Sequence, residues 1–135
     1  ETEFADIIQR WGYQPARQAY LDALTESDIF VSTAIHEFFG MTAVESILCG
    51  CFPMLPKRLA YPEVLELPHY QERDCHFFDG SAQQLAVKLK NLIQQHYNGN
   101  LWPYDSESIQ DSMCQYRIKS CAQQMDQRLV DYTTM

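Results

Sequence analysis

With 135 residues, 46% of them hydrophobic and 13% aromatic, the chain can bury the core of one domain and is too apolar to be disordered. Its net charge of −8 argues against nonspecific nucleic-acid binding, which needs clustered Lys and Arg against phosphates. No run approaches the roughly 20 apolar residues of a membrane span, and the start of the chain lacks the basic and apolar regions of a signal peptide.

In chain order, residues 7–11 read as a strand broken by Gly12-Tyr13-Gln14-Pro15, and Arg17–Thr25 as a helix with Tyr20, Leu21 and Leu24 on one side. Residues 28–33 form a short buried strand ending in small polar residues. The loop from Ala34 to Gly40 leads into an apolar helix over residues 43–49, stopped by Gly50, and residues 51–55 give the next strand. Pro62 and Glu63 suit the first turn of a short helix over residues 61–67. Residues 75–78 form a third strand, and Asp79-Gly80-Ser81 turns into the helix Ala82–Tyr97, where Leu85, Leu89, Leu92 and Ile93 share a face. Asn98-Gly99-Asn100 ends that helix, and a final one runs from Ser106 or Ser108 to about residue 132. Strands alternating with helices predict an α/β fold, a Rossmann-like parallel sheet flanked by helices. The whole of 1–135 reads as a single domain with 105–132 as its terminal helix.

The chemistry concentrates in His36-Glu37-Phe38-Phe39-Gly40-Met41-Thr42-Ala43-Val44-Glu45. In a βαβ unit this loop lies where strand ends meet helix starts, the place where open α/β sheets bind ligands. The first helical amides, from about Phe39 to Met41, lack intrahelical partners and carry the positive end of the helix dipole, so they suit a diphosphate. Gly40 allows close approach. Two carboxylates beside a phosphate are best used as acceptors for neutral hydroxyls, which a sugar nucleotide supplies on both sides of its diphosphate. A plainer reading makes Thr42-Ala43-Val44-Glu45 a capping box, with Glu45 reaching back to start the helix, and Glu37 a solvated loop acid.

These residues and their spacing resemble the donor-binding signature of retaining GT-B glycosyltransferases of the family 4 type. The runs Ser32-Thr33-Ala34-Ile35-His36-Glu37-Phe38-Phe39-Gly40 and Cys49-Gly50-Cys51-Phe52-Pro53-Met54-Leu55-Pro56-Lys57-Arg58-Leu59-Ala60-Tyr61-Pro62-Glu63 look like the tRNA-queuosine mannosyltransferase branch of that group. Trp11-Gly12-Tyr13 and Ala19-Tyr20-Leu21 fit the same branch, and the likeness extends from roughly residue 7 to residue 78. The resemblance implies a GDP-mannose donor, no metal, a queuosine-modified tRNA acceptor, and a partial C-terminal half of the GT-B fold. It makes Glu37 the catalytic acid facing the donor sugar. Phe39, Gly40 and Met41 then offer amides to the diphosphate, Glu45 bonds the ribose, and Thr42 and His36 stand beside the donor, His36 as a sugar contact. Lys57 and Arg58 follow the next strand at the same sheet edge and could hold the diphosphate or the guanine.

An N-terminal Rossmann domain carrying the acceptor site, and the early basic residues of the second domain, have no counterpart in this sequence. The expectation is therefore a fragment that binds the donor but does not turn over, beginning inside the fold, with an open sheet edge that could pair with another copy. The rival from another class is a noncatalytic α/β interaction module. Cys49, Cys51, Cys75, Cys114 and Cys121 make neither an even framework nor a C-x2-C pair, which predicts free thiols and a reducing, cytoplasmic setting. Cys49, Cys51, His69, Cys75 and His76 match no standard zinc spacing, so no metal site is expected.

Overall fold

The computed structural model describes residues 4–65 and 73–133. Strands β1 (Ile29–Val31), β2 (Phe52–Pro56) and β3 (Phe77–Phe78) form one parallel sheet in that order. Helix α4 (Ala82–Tyr97) covers one face, where Leu92 packs with Phe52, Met54 and Phe78. Helices α2 (Met41–Leu48) and α5 (Ser106–Met113) cover the other, where Ala43, Val44, Ile47, Ile109 and Met113 pack with Leu55 and Phe77. The predicted α/β class and flanked parallel sheet are present. With both faces covered, β2 is buried at all five positions, which explains its continuous apolar sequence.

A proline inside a central strand normally removes a ladder bond. Phe52 donates to Asp28 and Met54 accepts from Ser32 on the β1 side, so the intervening Pro53 faces β3. The β2–β3 ladder is confined to Leu55 and Pro56, and no strand amide is needed at Pro53. Its carbonyl is instead bonded 3.0 Å from Nδ1 of the buried His76, whose Nε2 meets the Tyr104 hydroxyl. Phe52 and Trp102 complete this aromatic cluster, with ring centroids 5.0 Å apart. It ties the segment after α4 to the sheet.

Helix α1 spans Arg17–Thr25 as the sequence predicts. Four expectations are corrected. Residues 7–11 do not form a strand: the amides of Ile7 and Ile8 turn back to the Phe4 carbonyl, and Trp11 is exposed. An apolar run becomes a strand only where an edge receives it, and no sheet edge receives this one. The third strand is shorter than residues 75–78, because Arg73–His76 is a 3-10 turn. The final helix is two helices. After α5, the 3-10 turn Cys114–Tyr116 leads to an extended Arg117 (ψ 139°), and α6 (Ile118–Thr133) begins anew. Cys114 and Cys121 therefore do not share a helix face. No Gly or Pro marks this break. Helix α3 (Tyr61–Val64) is present, while its predicted continuation through residues 66 and 67, like His69, lies outside the described residues. Ile93 is half exposed rather than part of the α4 core face.

Candidate functional site

Three loops leave the carboxyl edge of the sheet: 32–40 after β1, 57–60 after β2 and 79–81 after β3. The first is pinned from below. Ser32 Oγ and the Tyr61 hydroxyl share a 2.7 Å hydrogen bond. Gly40 rests on the Tyr61 ring with φ +83°, so that an added Cβ would lie 3.3 Å from a ring carbon. Gly40 is also the N-cap of α2, and no side chain caps the helix.

Oε1 of Glu37 folds back onto the turn that leads into α2. It accepts hydrogen bonds from the amides of Phe38, Phe39 and Gly40 at 3.0, 3.3 and 3.0 Å. The Gly40 and Phe39 amides pull its carboxyl below the usual carboxylate range. Two of the amides read from sequence as diphosphate donors thus converge on an anionic oxygen supplied by the chain itself. His36 and Phe38 are exposed, and Phe39, half exposed, meets the Tyr116 ring edge-on with centroids 5.4 Å apart. Met41 is half exposed at the first position of α2.

Glu45 does not complete a capping box, because Gly40 rather than Thr42 is the cap. It crosses to α1 instead. Arg17 Nη2 donates to Oε1 at 2.8 Å and the Tyr20 hydroxyl donates to Oε2 at 2.7 Å. Burial works to raise the carboxyl's proton affinity, but these two bonds and the Arg17 charge outweigh it and hold Glu45 below the ordinary range. Burial, with the bond to Glu45, pushes the Tyr20 phenol up to about 12. The carboxylate lines an open cleft of about 560 Å³ together with Tyr13, Gln14, Pro15, Arg17, Tyr20 and Thr42. Glu45 and Thr42 therefore sit in this cleft, and Glu37 in the adjoining amide-lined turn.

The two cations after β2 diverge. Arg58 reaches along the carboxyl edge: Nη2 donates to the Ala34 carbonyl at 2.9 Å and Nη1 lies under Gly80, spanning the loops after β1 and β3. Lys57 turns to Asp74, 2.7 Å away, in a hollow shared with Asp79, Gln84 and Lys88. Between them and α3, Leu59 takes a left-handed φ of 59°, a conformation that costs a side-chain-bearing residue energy and turns the chain sharply at this edge.

Sequence reasoning named Glu45 but missed its partners. Arg17 and Tyr20, three residues apart on α1, carried the available signal: a cation and a hydroxyl on one helix face. Nothing local shows that this face meets α2. Among the described residues, no group of three or more His, Cys, Asp or Glu side chains is arranged to hold a metal, no disulfide forms, and no helix is long and apolar enough to cross a membrane.

No protein-family profile matches the chain, and no solved structure matches it. Among curated proteins, the chain is similar to the tRNA-queuosine alpha-mannosyltransferase of Drosophila melanogaster, with 50% identity over 78 residues. The matched stretch covers 58% of this chain and 19% of that protein, so the chain spans about a fifth of the relative's length. The resemblance to tRNA-queuosine mannosyltransferases, read from the paired acids and the segment after β2, is thus supported as a partial match.

Proposed function

We propose that this chain forms the donor-binding part of a retaining glycosyltransferase that moves mannose from GDP-mannose to a queuosine-modified tRNA in the cytoplasm. The observation that carries the reading is Glu45: an ionised carboxylate in an open cleft, one helical turn from anion-gripping amides at the carboxyl edge of a parallel sheet. The name of the similar Drosophila protein, a tRNA-queuosine alpha-mannosyltransferase, supports the mannosyl-transfer and tRNA part of this reading. In this reading the cleft takes the nucleoside, with Glu45 accepting from the ribose hydroxyls. The amides of Phe39, Gly40 and Met41, the α2 dipole and Arg58 meet the charge of the departing diphosphate, and no metal ion is required. The tRNA docks mainly on a separate N-terminal domain, a division that agrees with the net negative charge here.

Glu37 then has to move. Its carboxylate occupies two of the amides that the diphosphate needs, and once displaced it is placed to accept from sugar hydroxyls. Glu37→Gln, which removes the competing charge, is expected to tighten binding of GDP alone while lowering mannosyl transfer. Calorimetry on the intact protein tests the reading as a whole. GDP-mannose and GDP should bind, Glu45→Ala should weaken both at least tenfold, and Glu63→Ala, at an exposed acid on α3, should change little. Absence of heat with every sugar nucleotide would overturn it.

The fully exposed Phe38 and the exposed Ile35 favour a second reading, in which the loop after β1 is an apolar docking tip on a noncatalytic module. The same calorimetry separates the two.

A further inference from the structure

We propose that Arg17 and Tyr20 of α1 are positioning residues for Glu45, holding its carboxylate ionised and turned so that the acceptor sites they leave unused face a cis-diol in the cleft. This rests on the donor-binding reading above and adds two residues to it.

A carboxylate offers about four acceptor sites, two on each oxygen. Arg17 takes one on Oε1 and Tyr20 one on Oε2, which leaves one on each oxygen. Two acceptors on one planar group match the two neighbouring hydroxyls of a ribose. The match depends on charge state, because a protonated carboxyl donates where it should accept. Glu45 sits between the buried Val44 and Ser46 with only 21% of its side chain exposed, an environment that favours the neutral acid. The two donors on α1 oppose that tendency.

As a structural tie the arrangement is weak. The Arg17 side chain is 70% exposed and that of Glu45 21%, so water screens the pair from the Arg17 side and its contribution to folding is small. Yet Arg17, Tyr20 and Glu45 line the same cleft. The titratable groups facing Glu45 are therefore Arg17 and Tyr20 on α1 and Tyr13 in the segment before α1, with Cys49 one turn further along α2.

The test uses the intact protein, with the Kd for GDP and the KM for GDP-mannose measured against pH. Tyr20→Phe keeps the ring and deletes one bond, while Arg17→Met keeps the stem and deletes the charge. Each is expected to raise Kd and KM about 5- to 20-fold with kcat changed less than about threefold. Each should also move the acid limb of binding to higher pH, since Glu45 then protonates sooner as pH falls. Arg17→Lys should restore most of the loss, and melting temperatures should stay close to wild type. Variants that bind GDP as wild type does, with an unmoved acid limb, overturn the positioning role and leave donor binding standing. Losses that simply follow a falling melting temperature also overturn it. A wild-type protein that binds no sugar nucleotide overturns both.

Discussion

Gly40 meets two demands that no other residue type satisfies together, a left-handed backbone and contact with the face of Tyr61. Gly40→Ala should cost roughly 1–2 kcal/mol from the backbone alone, with a further penalty unless the Tyr61 ring shifts. Urea unfolding would report the loss as a lower midpoint at unchanged slope. His76 makes a different kind of prediction. Burial lowers its pKa to about 4, against the support of the Pro53 carbonyl and with help from Lys88. The unfolded chain then binds a proton that the folded one refuses between about pH 6.5 and 4, so the stability due to a neutral His76 is complete above that window and is lost as pH falls through it. The effect is on the order of 3 kcal/mol. His76→Phe should flatten this part of the stability profile, whatever it does to the stability at neutral pH. Nothing in the sequence around Cys75-His76-Phe77 told a buried histidine from a surface one. The distinction arises from Trp102 and Tyr104, more than twenty residues later.

At the scale of elements, helices were legible where their own residues define their ends. Ser81 caps α4 by accepting from the Gln84 amide at 3.2 Å, and Asn98-Gly99 closes it. Both signals are local, and the predicted bounds Ala82–Tyr97 match. Ser81→Ala should cost about 1 kcal/mol, readable as a lower melting temperature with no change in nucleotide binding. The break at Arg117 has no such punctuation. Ile109 and Met113 pack into the core, and the chain changes direction afterwards without a residue that announces it. The apolar run at residues 7–11 failed as a strand for a related reason, since pairing is decided by a neighbour and not by the run itself. The site shows the same division. Gly40, the helix start and both acids were visible in sequence, whereas the α1 face that binds Glu45 and the return of Glu37 onto its own loop are tertiary facts. The capping-box reading was the locally simpler one, and Gly40 at the cap displaced it.

For the whole molecule, the sheet explains both placement and partnership. Parallel strands send all three loops to one edge, where Arg58 links the loop after β1 to the loop after β3. Leu59, held at φ 59° beside it, should tolerate Leu59→Gly with little loss of stability, because relief of the left-handed strain offsets the added freedom of the unfolded chain. Among the described residues β1 pairs on one side only, and its open edge is available to a further strand or a second copy of the chain. On the proposed reading, an anionic donor meets only local amides and Arg58, with no metal and against the net charge of −8. Transfer by the intact protein should therefore persist in excess EDTA. The most direct test of the central claim is calorimetric titration of GDP-mannose into intact wild-type and Glu45→Ala protein. Saturable binding to wild type, weakened at least tenfold by Glu45→Ala with both proteins folded, is the predicted result. Equal affinity for the two proteins would contradict it.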